Sequence, residues 1–215
     1  MMKNILLKIK NLKKNYHTPK EEIEAIEDFS FDLCENEFVA IVGPSGCGKS
    51  TILSILSGIE NMSSGNIKNL NNSSIGYMLQ SDNLFEWRTI LENCLLGLEI
   101  NGKLNEENKK YVLSLLETYG LKNFINSYPN NLSGGMRQRV SLIRTLATRP
   151  DILLMDEPFS ALDYQTRLAV SDDVFNIIKK EKKSVIMVTH DIAEAIYQIN
   201  ITKKRNLYKV PIYHG

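Results

Sequence analysis

Gly43, Pro44, Ser45, Gly46, Cys47, Gly48, Lys49, Ser50 and Thr51 carry the most specific chemistry in this chain. Their spacing is G-x-x-x-x-G-K-S. The apolar run Phe38 to Val42 precedes them and predicts a buried strand; Ile52 to Leu56 follows and predicts the start of a helix. Strand, glycine loop and helix together are the context of a phosphate-binding loop. The glycines let backbone N–H groups turn toward an anion, and the helix N-terminus adds partial positive charge. Lys49 can reach the outer phosphates, and the Ser50 hydroxyl can hold a magnesium ion.

Two further apolar runs end in residues able to act on a phosphate. Ile152 to Met155 leads into Asp156 and Glu157. Asp156 is placed to hold magnesium, and Glu157 to orient or deprotonate an attacking water. An isolated Asp-Glu pair would read as a solvated loop; the apolar run before it and Pro158 after it favour a site. Ser184 to Val188 leads through Thr189 to His190, a histidine as readily structural as catalytic. Ligands of open α/β sheets sit beyond the carboxyl ends of the strands. All three sets can therefore converge on one nucleotide.

The remaining chain has to position them. Residues 5–10 predict a first strand, followed by a polar loop from Asn11 to Lys20 that contains Tyr16. Ile23 to Ile26 and Phe29 to Leu33 alternate apolar with polar, the pattern of antiparallel strands with one wet face. Gly65 to Leu70 and Ile75 to Leu79 predict short strands about an Asn/Ser turn, with Gln80 closing the second. Residues 89–119 are helical in character, with Gly120 as the stop. Met136, Val140, Ile143 and Ala147 mark another helix face, ended by Pro150. A further helix is expected from about Gln165 to Lys180.

Composition bounds the class. The chain has 215 residues, 43% of them hydrophobic and 24% charged, with a formal net charge of +1. These are the proportions of a soluble globular protein, without the bulk charge that would attract nucleic acid. No apolar run approaches the ~20 residues that span a bilayer, and lysines interrupt the N-terminal apolar stretch too early for a signal peptide. Cys34, Cys47 and Cys94 lack metal-ligand spacing, which suits a reducing compartment. Cys47, beside Lys49 and a helix N-terminus, is expected to be the most reactive of the three, unless it packs inertly beneath the loop.

At Leu132-Ser133-Gly134-Gly135-Met136-Arg137-Gln138 the sequence resembles the signature motif of ATP-binding cassette (ABC) ATPases. Ser133 and two glycines at a helix start make a second anion site. The resemblance runs from about Ile5 to Ala195. It implies an α/β fold of the P-loop NTPase (ABC ATPase) type, with a mainly parallel core sheet, an N-terminal antiparallel β part and a helical subdomain. It implies that Ser133, Gly134 and Gly135 cover the γ-phosphate bound to the opposite subunit. Tyr16 matches the aromatic that stacks on adenine. Gln80 matches the glutamine that contacts magnesium and the attacking water. Ser160 to Asp163 match the D-loop, and His190 the histidine that contacts the γ-phosphate. Leu84 to Asn93 is similar to a segment of importers in the nitrate/sulfonate/taurine group, with Phe85-Glu86 in place of the usual Leu-Pro. Trp87 there is either core packing or an exposed docking residue.

What the resemblance implies is an ATPase subunit of an importer at the cytoplasmic face of a membrane. Its cofactors would be ATP and Mg2+. Its partners would be integral membrane permease subunits, a second copy of itself in a head-to-tail ATP sandwich and, indirectly, an extracytoplasmic solute-binding protein. Nucleic acid is not expected. Residues 1–198 would form the ATPase domain, with a helical signature subdomain at about 84–149. The atypical tail, 199–215, does not match the family. It is expected either to leave the core without a flanking strand or to form a hairpin from Ile199–Thr202 and Leu207–Tyr213. A shortened cassette that binds nucleotide without turning it over is the rival reading. A DNA-repair or translation cassette would carry long insertions or a second cassette, and an exporter is disfavoured by Trp87-Arg88-Thr89.

Overall fold

The structure, a computed structural model, describes residues 4–191, 195 and 205–209. The chain divides into two compact units. The first comprises Met1–Ile75, Asp151–Glu157 and Lys182–Gly215, and the second Gly76–Pro150 and Pro158–Glu181.

The first unit begins with an antiparallel sheet. Strand β1 (Ile5–His17) lies between β2 (Glu22–Cys34) and β4 (Ser64–Asn69). The alternation of β2 is that of a sheet with one wet face, and the two short runs expected there merge into one strand. β1 is longer than its sequence suggests, because the expected loop from Asn11 is strand as far as His17. The cause is a change of phase. Leu7 and Ile9 point inward, but register shifts follow Ile9 and Asn11 takes a φ of 49°. Asparagine tolerates this left-handed conformation, and such a bulge moves the next apolar residue onto the core face. Leu12 is accordingly fully buried.

The core sheet of this unit is parallel. β3 (Phe38–Val42), β6 (Ile152–Asp156) and β7 (Ser184–Thr189) are buried at every position. Continuous burial fits a parallel strand covered on both faces. β6 pairs with β7 and β7 with β3, with Leu153 opposite Val185 and Val39 opposite Ile186. The first helix, α1 (Lys49–Leu56), leaves β3 through the glycine loop.

The second unit contains β5 (Ile75–Met78, of which Gly76–Met78 lie here) and four helices: α2 (Ile90–Ile100), α3 (Glu106–Thr118), α4 (Gly134–Leu146) and α5 (Tyr164–Lys180). It is wider than the helical segment of about 84–149 expected from sequence, since α5 joins it. The single helical stretch expected over 89–119 is two helices. Asn101 closes α2, Gly102 takes a φ of 63°, and the Asn105 side chain caps α3 by accepting from Asn108 N. α2 starts at a full capping box between Thr89 and Glu92. No helix among the described residues is long and apolar enough to cross a membrane.

The tail differs from expectation. Strand β8 (Arg205–Lys209) pairs in parallel with β3, placing Phe38 opposite Arg205 and Val42 opposite Lys209. The core therefore has a strand on that flank. Ile199–Thr202 and residues 210–213 of the expected hairpin lie outside the described residues, and the pairing found for 205–209 is with β3. In hydrogen exchange, alternate amides of Arg205–Lys209 are expected to be protected, because a parallel edge strand points every second N–H at its neighbour. Uniformly fast exchange across the five would remove the strand from the core.

Candidate functional site

The ends of β3, β6 and β7 bring five of the expected residues together in the first unit. Lys49 opens α1. Its side chain is only 4% exposed. A buried ammonium without partners costs several kcal/mol, and here Nζ donates to Gly43 O and Pro44 O, each at 2.8 Å. Glu157 Oε1 adds an opposite charge at 3.8 Å. Ser50, the next residue, donates from Oγ to Asp156 Oδ1 at 2.9 Å. His190 Nδ1 lies 3.0 Å from Glu157 Oε2. One carboxylate thus faces a lysine with one oxygen and an imidazole with the other.

Glu157 holds an uncommon backbone conformation, φ 41°. For a residue other than glycine this costs about 1–2 kcal/mol. Its N–H donates to Val188 O at 3.0 Å, which ties the turn after β6 to β7. The glycine loop is equally constrained. Gly46 and Gly48 have φ of 83° and 87°, and a Cβ on Gly48 would stand 2.3 Å from Ala25 O. Only glycine fits where the loop passes this close to β2. Gly48 is also the N-cap of α1 and offers no side-chain cap. First-turn amides without a cap are the donors that suit an anion. Ser45 is exposed and Thr51 half-buried at the start of the helix.

These features fit a magnesium–nucleotide. A polyphosphate matches the uncapped helix start, the glycine turn and Lys49. A hydroxyl and a carboxylate oxygen 2.9 Å apart match the few protein oxygens that magnesium takes beside phosphate and water. Tyr16 is half-buried on β1. Burial, together with the Glu60 carboxylate, pushes its hydroxyl above its ordinary value. Lys14 Nζ lies 4.7 Å from its ring centre.

The other expected residues lie in the second unit. Gln80 is exposed just after β5, and its Nε2 donates to Ser160 Oγ at 3.3 Å. Ser133 is the N-cap of α4 and accepts from Met136 N at 3.3 Å. Gly134 and Gly135 form the first turn. A Cβ on Gly135 would meet Val170 Cγ2 at 2.5 Å, so this turn lies directly against α5. Asp163 is the N-cap of α5, and its bonds from Thr166 hold the carboxyl below its ordinary value.

Trp87 is 74% exposed and stacks on Phe85, with ring centres 4.8 Å apart, so it is not core packing. Sequence reasoning missed what holds its turn. Asn93 is fully buried; its Oδ1 accepts from Phe85 N, and its Nδ2 donates to the carbonyls of Phe85, Arg88 and Thr89. A polar residue at a position that the helical period sends to the core was the available signal.

The cysteines divide by burial. Cys34 and Cys94 are buried, and burial pushes the Cys94 thiol up to about 12. Cys47 is half-exposed, with Sγ 4.0 Å from Lys49 Nζ. A maleimide is expected to label Cys47 first, and Mg-ATP to slow that labelling. Peptide mapping with and without nucleotide tests this. Equal rates in both conditions, or full ATPase activity after modification, would separate Cys47 from the phosphate site.

Comparison with known proteins matches residues 26–160 to the family described as ABC transporter. The chain is 47% identical over 196 residues to an uncharacterized ABC transporter ATP-binding protein, YtlC, of Bacillus subtilis, covering 88% of this chain and 75% of that one. It is 42% identical over 182 residues to the taurine import ATP-binding protein TauB of Rhizobium johnstonii, covering 81% and 69%. Its fold is similar to a dimeric post-hydrolysis ATP-binding cassette bound to ADP and Pi, with TM-score 0.72, 34% identity and coverage of 88% and 90%.

Proposed function

This chain belongs to the ABC transporter family as an ATP-hydrolysing cassette, and from that premise we propose that it energises uptake of a small solute of the nitrate/sulfonate/taurine kind through a partner permease. The observation that carries the reading is the cluster of Lys49, Ser50, Asp156, Glu157 and His190 at three strand ends. Similarity to a taurine-import cassette supports the solute class, and the exposed Trp87 supports a docking surface for the permease. The binding-only alternative loses support, because β8 flanks the core and the charged residues meet.

In this reading Mg-ATP, once bound, supplies the phosphoryl group transferred to water. Gly43 to Thr51 wrap the phosphates and Lys49 neutralises them. Ser50 and Asp156 would hold the metal. Tyr16 stacks on the base. Glu157 takes the proton of the attacking water, and His190 fixes the carboxylate through its second oxygen. Ser133, Gly134 and Gly135 act on nucleotide held by a second copy, and Asp163 keeps the start of α5 formed beside that contact. The pair of cassettes works at the cytoplasmic face of the membrane, and a solute-binding protein acts on the permease from the other side.

Glu157→Gln preserves volume and removes the base. Turnover is expected to fall by about 10²–10⁴, while ATP binding persists and an ATP-dependent dimer appears on gel filtration. Turnover near that of the unmodified chain would reject Glu157 as the base.

A mixing experiment tests the shared site. A Lys49→Ala chain and a Ser133→Arg chain each lack activity alone; together they form dimers with one intact site. Residual ATPase in the mixture is the expected result. Its absence, with heterodimers present and Ser133 failing to crosslink to nucleotide on the partner, would exclude the head-to-tail arrangement.

A further inference from the structure

Between Gln80 and Trp87 the chain has no regular structure from Asp82 to Phe85. It is nonetheless fastened at both ends: Asn93 of α2 holds Phe85, and α4 holds Asp82 and Asn83. Arg144 donates to Asn83 O at 2.7 Å and to Asp82 O at 2.6 Å. Arg137 donates from Nε to the Asp82 carboxylate at 3.0 Å and from its terminal nitrogen to Leu132 O at 2.8 Å. Asp82 in turn accepts from Leu84 N at 3.2 Å. Asn83 takes a φ of 47°, which presents two successive carbonyls to one guanidinium.

The two arginines do different things. Arg144 sits in the last turn of α4 and grips the loop by its backbone, so it reads the path of the loop rather than any one side chain there. Burial pushes its guanidinium below the ordinary value, with Asp82 opposing that shift. Arg137 lies in the first turns of α4 and bridges. One arm holds Asp82 and the other holds Leu132, the residue immediately before Ser133. A planar guanidinium fixes both partners in one geometry, which an ammonium would not.

We propose that Arg137 and Arg144 are positioning residues: through Asp82 and Asn83 they fasten the segment that joins Gln80 to Trp87 onto the helix that begins at Ser133. A displacement imposed at Trp87 then moves Ser133 to Gly135 without slack. The proposal rests on the reading that Trp87 docks the permease and that Ser133 acts on nucleotide. The nucleotide's own phosphate loop belongs to the other unit, so the strap acts on turnover and not on affinity.

The test uses the full chain. Asp82→Ala and Arg144→Met are expected to lower kcat by about fivefold or more, the scale of coupling within a hydrogen-bond network, with KM for ATP within about twofold. The discriminating measurement is a double-mutant cycle with Ser133→Ala. If Asp82 acts through Ser133, adding Asp82→Ala to Ser133→Ala costs little more. Additive losses, or losses that appear in KM alone, overturn the proposal. Hydrogen exchange reads the strap without any turnover: amides of Leu132–Met136 should exchange faster in Asp82→Ala and Arg144→Met. Unchanged exchange there overturns the strap even if the chain is an active ATPase. Faster exchange in a chain that does not hydrolyse ATP upholds the strap and removes the functional reading.

Discussion

An ammonium group that is 4% exposed governs the first unit. Lys49 can be buried only if the loop before it curls to present carbonyls, and Gly43 and Pro44 do so. That curl requires the left-handed turns at Gly46 and Gly48, and it brings Gly48 against Ala25 on β2. It also requires a carboxylate nearby, which Glu157 supplies from the end of β6. The register β6–β7–β3 is therefore an electrostatic requirement as well as a packing one. A slip of one residue in any of the three would turn their chemistry-bearing ends away from each other.

The strands that carry this chemistry were legible because each is a closed apolar run ending in polar residues. Burial on both faces leaves no alternation to misread, and β3, β6 and β7 fall where the sequence places them. The antiparallel sheet was only half legible. Alternation marked β2 and the first part of β1, but the bulge at Asn11 breaks the period of two, so polar strand after it resembled loop. The helical stretch hid a break for a related reason. Asn101, Gly102 and Asn105 form a stop and a new cap within five positions, while the apolar period continues on either side.

Side-chain holds on irregular backbone were the least legible. Asn93, Arg137 and Arg144 all lie on helices whose period is explained by packing alone, and most of their partners are carbonyls, which every residue has. Nothing in residue type says which carbonyl a guanidinium will find. The αL conformations at Asn83 and Glu157 were equally silent, although each decides where a site residue points. β8 was only partly legible: the expected hairpin arm Leu207–Tyr213 overlaps it, but a five-residue strand containing Arg205 and Lys209 has no apolar run to mark its bounds. Its place beside β3 emerges only from pairing.

The two helix starts proposed to meet phosphate are built differently, and the difference follows from what each would have to leave free. Gly48 cannot cap α1, so the first-turn amides remain donors that a bound phosphate would satisfy. Ser133 does cap α4, accepting from Met136 N. A hydroxyl has one proton and two lone pairs, and the cap uses a lone pair. The Ser133 proton can then point away from the helix, toward a phosphate oxygen. The cap, worth about 1 kcal/mol, thus fixes the direction of the one donor the side chain has. Ser133→Ala would remove both, whereas Ser133→Asp would keep an acceptor for the helix and replace the donor with a charge that repels phosphate. That asymmetry is what would distinguish a helix start that cradles its ligand from one that is completed beforehand and presented to it.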